Sequence, residues 1–259
     1  MTVALHAEWT KWRTLPGRAW LILGIIAVTA GVSYAAIASQ HCPAVGGCIS
    51  DPVKQSLVGV EAGQAVVAIL AVLTVTGEYA TGMIRVTFVA MPRRLVVLTA
   101  KTSVVLALVL AAGAVSVLGC VLAGRLVLPG HGFTLANGYA AYSLGNASLL
   151  RAACGAVLYL VLIALMSIGV ATAVRESAVA IGVILGLLYL FPILLLAVNN
   201  TTWHRHLEQI APMIAGLDII STTGLKALPL TPWQGLGVMA AWAAGCLLLG
   251  GILLRVRDA

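Results

Sequence analysis

The chain has 259 residues, of which 61% are hydrophobic and only 9% are charged. A soluble domain carries about 25% charged residues, so this composition excludes an ordinary water-soluble fold and is typical of a protein surrounded by lipid. The net charge of +7 would suggest nucleic-acid binding in a soluble protein, but basic residues on the cytoplasmic side explain it in a membrane protein. We predict an all-α integral membrane protein that binds no nucleic acid.

The N-terminal segment, residues 1–18, is polar and basic and contains two tryptophans. If it is helical, Thr10 and Lys11 face away from a stripe that is formed by Leu5, Trp9 and Trp12. Such a helix would lie in the membrane interface, with its indoles at the level of the lipid headgroups. Pro16 and Gly17 would end it before the first span. A disordered basic N-terminus is the alternative interpretation.

Six apolar segments reach the roughly 20 residues that a helix needs to cross a bilayer. We predict spans at about 19–38, 59–76, 102–123, 152–174, 177–198 and 236–254. Residues 199–235 form an outer segment whose apolar patches are too short to cross, so a re-entrant piece is one interpretation. The whole chain, 1–259, is therefore predicted to be a single six-helix transmembrane domain.

The distribution of Lys and Arg predicts the orientation. One side would hold ten basic residues and the other five; the ten are Lys11, Arg13, Arg18, Arg85, Arg93, Arg94, Lys101, Arg175, Arg255 and Arg257. The richer side should be cytoplasmic, which places both termini in the cytoplasm. Cys42 and Cys48 would then share an outer loop, where a disulfide is chemically allowed and two free thiols are the alternative.

Side chains that could support catalysis or ion coupling are scarce in the predicted spans. Glu61 and Gln64 lie near the outer end of the second span, where Glu61 either rests at the interface or contacts a substrate. The chain contains no metalloprotease or serine-hydrolase motif. Gly77 and Gly82 have the spacing of a P-loop, but Met83 stands where that motif needs Lys. We predict no catalytic residue, no metal site and no cofactor.

Two glycine pairs, Gly59 with Gly63 and Gly182 with Gly186, have the G-x-x-x-G spacing that lets helices approach closely.

The most informative string begins at Thr76 and reads TGEYATGMIRVTFVAMPRRLVVLTAK. It resembles the first cytoplasmic segment of ABC-2 type permeases, the membrane subunits of type-2 ABC exporters, over 76–87 and at Pro92, Arg93, Arg94 and Lys101. The opening segment around Trp9 and Lys11 resembles the elbow helix of that family. The turn at 174–177 and the basic C-terminus agree with it, whereas the loop of Cys42 and Cys48 has no counterpart.

The resemblance implies a permease without ATPase activity, paired with a second permease half, identical or not, and with separate ATP-binding subunits. A cytoplasmic coupling helix within residues 78–85 of the segment 76–101 would transmit ATP-driven motion into the spans. Its predicted contact residues are Glu78, Tyr79, Thr81, Gly82, Met83, Ile84 and Arg85. The charged residues would pair with the soluble partner, and the apolar ones would fill a groove on it.

The expected function is therefore export of a drug, lipid-like or other amphipathic substrate across a bacterial plasma membrane. An ion-coupled secondary transporter is the second hypothesis, which requires buried titratable groups and often an internal repeat. A membrane scaffold or immunity protein is the third. An adjacent Walker A ATPase would discriminate the first hypothesis from the others.

Overall fold

The computed structural model describes residues 2–14, 16–40, 51–90, 93–133, 146–198 and 200–256. None of these residues lies in a β-strand, which confirms the all-α class. The helices are α1 (Thr2–Thr14), α2 (Pro16–Ala38), α3 (Pro52–Ser56), α4 (Gly59–Ala80), α5 (Met83–Ala90), α6 (Arg94–Val127), α7 (Ala147–Val174), α8 (Ser177–Ala197), α9 (Thr201–Ile210), α10 (Pro212–Leu217) and α11 (Pro232–Val256). Short 3-10 turns follow α6 and α10.

Six helices within the described ranges are long and apolar enough to cross a membrane, namely α2, α4, α6, α7, α8 and α11. This confirms a multi-pass architecture. Two of the predicted boundaries were wrong, because α4 continues to Ala80 and α6 begins at Arg94. The stretch between the two predicted spans was expected to be polar and basic. Its residues Glu78 and Lys101 lie within α4 and α6 and form a salt bridge with each other.

The core is formed chiefly by buried side chains of α4, α6 and α7, with α2, α8 and α11 packed around them. The predicted close approach at Gly59 and Gly63 is confirmed. A Cβ atom at Gly59 would overlap the backbone oxygen of Thr29 on α2, and one at Gly63 would overlap the Thr29 hydroxyl. Gly182 and Gly186 differ, because added Cβ atoms there would meet nothing within 4 Å.

The two ends of the bundle are distinct. We call basic end the one that holds α1, α5, the turn between α7 and α8, and the last turn of α11. An ion pair joins α1 to the end of α4, and hydrogen bonds join the last turn of α11 to the start of α6 and to the α7–α8 turn. The helix α5 lies in the connection between the end of α4 and the start of α6. We call far end the opposite one, which holds α3, α9 and α10. The first long helix, α2, therefore begins at the basic end, and the last helix, α11, ends there.

The described part of the predicted outer segment, 200–235, stays at the far end and does not cross the bundle. Its α10 helix and the following 3-10 turn bury Met213, Ile219 and Ile220 against the far-end parts of α7 and α11. The re-entrant interpretation stays a prediction. Cys42 and Cys48 lie outside the described residues, so their predicted disulfide does too.

Candidate functional site

Four charged side chains form a cluster at the basic end. The Lys101 ammonium lies 2.7 Å from Oε1 of Glu78 and 3.1 Å from Oε2 of Glu8. The Lys11 ammonium lies 2.9 Å from Oε1 of each of the same two glutamates. Lys101 also donates a hydrogen bond of 3.3 Å to the backbone oxygen of Thr74. We call these four residues the charge cluster.

The charge cluster joins three helices that are distant in sequence. Glu8 and Lys11 belong to α1, Glu78 to the last turn of α4, and Lys101 to the second turn of α6. The side chains of Glu8, Glu78 and Lys101 are at most 4% exposed. Each buried ion costs several kcal/mol of desolvation, which only close and complete pairing can offset. Two acids and two bases balance here, so the cluster specifies where α1 docks.

Lys11 does not face away from the protein as predicted. Its side chain is 23% exposed and points into the charge cluster. Burial alone would lower its pKa, but the hydrogen bonds from its ammonium group to Glu78 and Glu8 outweigh that effect and raise the pKa. Trp12 was predicted to sit among lipid headgroups, yet it is buried in the core, whereas Trp9 is 47% exposed. Thr2–Thr14 form a helix whose inner face is polar as well as apolar, and its predicted position in the membrane interface stays a prediction.

The short helix α5 lies beside the charge cluster and follows a turn in which Gly82 has φ +69°. Ile84 and Thr87 form its buried face. Its opposite face is apolar and open, because Val86 is 69% and Val89 87% exposed, and Met83 is also exposed. Exposed valines beside a charged end of a bundle are a typical protein contact surface. We call the exposed side chains of α5 the α5 surface.

The predicted coupling residues separate into two groups. Thr81, Gly82, Met83 and Arg85 are exposed, as a contact with another protein requires. Glu78 and Ile84 are buried, so the predicted direct pairing of Glu78 with a soluble partner is corrected: its partners are Lys101 and Lys11. The short helix in this region, α5, begins at Met83, later than the predicted coupling helix, and continues to Ala90.

Tyr79 faces the protein as well. The guanidinium carbon of Arg175 lies 5.5 Å from the centre of its ring, a cation–π contact between α4 and the turn before α8. Arg175 adopts a left-handed backbone with φ 66°, which allows the tight turn that the sequence predicted at 174–177. Glu176 then caps α8 by accepting hydrogen bonds from the backbone nitrogens of Ala178 and Val179.

Arg94 and Arg175, which the sequence analysis used for the topology and for the family resemblance, also hold the end of α11. Arg94 donates a 3.0 Å hydrogen bond to the backbone oxygen of Leu254, and Arg175 donates one of 3.5 Å to that of Leu253. The last carbonyl groups of a helix lack intrahelical partners and carry partial negative charge. These contacts fasten α11 to α6 and to the α7–α8 turn.

The far end depends on a different carboxylate. Asp51 caps α3 by accepting hydrogen bonds from the backbone nitrogens of Val53 and Lys54. It also accepts from the Thr222 hydroxyl at 2.6 Å, from the Thr223 nitrogen at 2.8 Å and from the Thr222 nitrogen. Burial alone would raise the pKa of Asp51, but these donors lower it. The carboxylate thereby links α3 to the segment before α11.

Asp218 lies nearby in the 3-10 turn after α10 and is 7% exposed. Its Oδ2 atom has no hydrogen-bond partner within the part of the chain that the structure describes. Burial raises the pKa of Asp218 to about 6, although Lys54 partly opposes the shift and Glu208 adds to it. Asp218 is therefore the acidic group at this end whose charge is poorly compensated.

The sequence analysis did not anticipate the buried polar contacts between spans. The Tyr159 hydroxyl on α7 donates to the side-chain oxygen of Gln64 on α4, and both residues are completely buried. The Tyr189 hydroxyl on α8 donates to the backbone oxygen of Glu61 at 2.9 Å, while the Glu61 side chain itself is exposed. In the part of the chain that the structure describes, no group of three or more His, Cys, Asp or Glu residues could hold a metal.

No protein-family model matches this chain, and no curated protein matches it in a sequence comparison.

Proposed function

We propose that this chain is the membrane-embedded permease subunit of an ATP-driven exporter of the ABC-2 type. It would reside in a bacterial plasma membrane with both termini in the cytoplasm and would export a drug, lipid-like or other amphipathic substrate. A separate subunit would hydrolyse ATP, and a second permease half would complete the pathway. The proposal rests mainly on one observation. The string that resembles the family contributes Glu78 and Lys101 to the buried charge cluster and also forms the exposed helix α5, which lies between these two residues in the sequence.

The charge cluster explains why this string contains both Glu78 and Lys101. Their salt bridge of 2.7 Å joins the end of α4 to the start of α6, the two spans that α5 connects. The same two side chains hold α1. A force applied to α5 would therefore act on two spans and the N-terminal helix together, since rigidly paired elements move as a unit.

The α5 surface has the composition expected of a docking site for a soluble subunit. Val86 and Val89 are apolar anchors, and the exposed Arg85 lies between Met83 and Val86. Apolar anchors surrounded by polar groups are the usual anatomy of a protein interface. A cytoplasmic ATPase with an apolar groove that has an acidic rim would complement it.

The pairing within the charge cluster argues against the second hypothesis, an ion-coupled transporter. Such a protein needs a titratable group deep in the membrane that can exchange an ion during the cycle. Glu8, Glu78 and Lys101 are buried, but they lie at one end of the bundle and compensate each other. Releasing a proton or binding an ion there would leave an opposite charge unpaired, at a cost of several kcal/mol.

The first test is purification of the tagged, full-length chain in mild detergent, with identification and quantification of the proteins that accompany it. We expect a soluble protein with a Walker A motif at a near one-to-one ratio. A chain that purifies without any ATPase, even after crosslinking in intact cells, would refute the proposal and favour a scaffold or immunity role.

The second test alters the α5 surface. Val89→Asp places a charge on the most exposed apolar position of α5, so we expect the amount of co-purified ATPase to fall about tenfold or more. Val256→Asp is the matched control, because Val256 is 76% exposed at the same end of the bundle but lies on α11. Equal ATPase recovery from both variants would exclude α5 as the docking element. Loss of membrane insertion in Val89→Asp alone would show that α5 contacts lipid instead.

A further inference from the structure

A groove opens on the outer surface of the bundle between α6 and α11, close to the basic end. Its volume is about 510 Å³, within the range of small-molecule and lipid sites. Its walls are aliphatic and consist mainly of Leu95, Leu98, Leu247, Leu248 and Ile252, with Gly251 leaving room between them.

Three hydroxyl-bearing side chains line the groove, Thr99, Thr102 and Ser103, and two of them have a hydrogen-bond partner within α6. Thr99 donates to the backbone oxygen of Val96 at 3.1 Å, and Ser103 donates to that of Thr99 at 2.8 Å. Both hydroxyls are therefore satisfied within α6, and the wall that they form accepts an apolar chain without leaving a donor unpaired.

The groove follows the first part of α6. It extends there from Leu95 to Ser103, which corresponds to about 12 Å along a helix axis. The groove thus begins at the charged end of the bundle and is long enough to hold the first part of an acyl chain, since half of the hydrocarbon core of a bilayer is about 15 Å.

The mouth of the groove is positively charged. Arg255 belongs to the lining, is exposed, and forms no ion pair with any residue of the described ranges. Arg93 is also exposed and precedes Leu95 by two positions at the start of α6. Basic pockets between transmembrane helices at the cytoplasmic side are typical sites for anionic lipid headgroups.

We propose that this groove binds one anionic phospholipid, with its phosphate at Arg255 and one acyl chain along the leucines of α6 and α11. A second copy of the chain fits less well, because it would bring its own excess of positive charge, +7, to an already basic mouth. The proposal requires only that the chain spans a membrane, so it does not depend on the exporter assignment.

The test is native mass spectrometry of the detergent-purified, full-length chain, titrated with palmitoyl-oleoyl phosphatidylglycerol or with the phosphatidylcholine of the same acyl chains. Wild type should retain phosphatidylglycerol preferentially. Arg255→Gln should reduce that retention about fivefold, as expected for one basic residue near a membrane surface, and leave phosphatidylcholine unchanged. Gly251→Leu should reduce retention of both lipids, because a Cβ at Gly251 meets no atom within 4 Å and the larger side chain fills the groove without a clash.

Matched controls make the outcome decisive. Arg125→Gln removes an exposed arginine from the opposite part of α6, and Gly237→Leu fills open space on α11 away from the groove; both should bind lipid as wild type does. Wild-type retention in Arg255→Gln and Gly251→Leu would overturn the proposal. A dimer of the chain that Gly251→Leu dissociates would overturn it too, since a second copy would then occupy the groove.

Discussion

The basic end and the far end both contain buried carboxylates, but they compensate the negative charge differently. At the basic end, Glu8 and Glu78 each contact two lysine ammonium groups. At the far end, Asp51 accepts hydrogen bonds from neutral hydroxyl and backbone groups, and no lysine or arginine of the described ranges forms a salt bridge with Asp218. One oxygen atom of Asp218 lacks a hydrogen-bond partner within those ranges, as does Oε2 of Glu78.

This difference predicts how each end responds to a perturbation. The charge cluster is balanced as a whole, so the loss of any one member leaves a buried charge behind. The far end contains one well-satisfied acid and one poorly satisfied acid, so its stability should vary with pH in two opposite directions.

The largest expected effect comes from Lys101→Met. This change removes the best-buried ammonium group and leaves two carboxylates to share Lys11, so we expect a loss of about 3–5 kcal/mol in the free energy of unfolding. Thermal unfolding in detergent, followed by tryptophan fluorescence, measures the loss. Lys226→Met, at an exposed position, should change little.

The double variant Glu78→Gln, Lys101→Met sharpens the interpretation. It removes one acid and one base, so the remaining pair of Glu8 and Lys11 is again neutral. We expect it to be more stable than Lys101→Met alone. If the two changes instead destabilise additively, the two side chains do not interact. The charge cluster would then not hold α4 and α6 together.

A smaller effect is expected from Asp51→Asn at the far end. The amide loses the negative charge and presents an NH₂ donor to backbone donors, which should cost about 2 kcal/mol. Glu176→Gln is a suitable control, because Glu176 caps only its own helix.

The effect of Asp51→Asn should also depend on pH. The pKa of Asp51 is lowered in the folded chain, so the stability that its ionised carboxylate contributes is present above the unfolded pKa and is lost as the pH falls through the folded pKa. The two proteins should therefore become similar in strong acid.

An effect with the opposite sign is expected from Asp218→Asn. The folded chain binds the Asp218 proton more tightly than the unfolded chain, since the pKa is raised from 3.8 to about 6. The ionised form is therefore destabilising above pH 6, and the penalty disappears as the pH falls toward 4. Asp218→Asn should raise the unfolding temperature by about 6 °C at pH 8 and change it little at pH 4. Equal stabilisation at both values would show that the charge of Asp218 is not the cause.

The sequence predicted some local features of the site well. The Gly59 and Gly63 pair marked a close helix contact, and the 174–177 turn was recognised from its charged residues between two apolar runs. The prediction from sequence was wrong where a charged residue pairs with a residue that is distant along the chain. Glu78, Lys11 and Lys101 each looked like polar surface residues, because a single sequence does not show that two acids and two bases meet in space.

The sequence by itself determined the fold class, the six spans and the excess of basic residues on one side, because an apolar run of about 20 residues has few stable alternatives to a membrane-spanning helix. The tertiary structure alone decided that Lys11 points inward, that Glu78 is unavailable to a partner and that α5 presents Val86 and Val89 instead. A charged side chain is buried only where a side chain of opposite charge lies beside it. Here the partners are distant in sequence, since Lys11 and Glu78 are 67 residues apart and Glu8 and Lys101 are 93 residues apart.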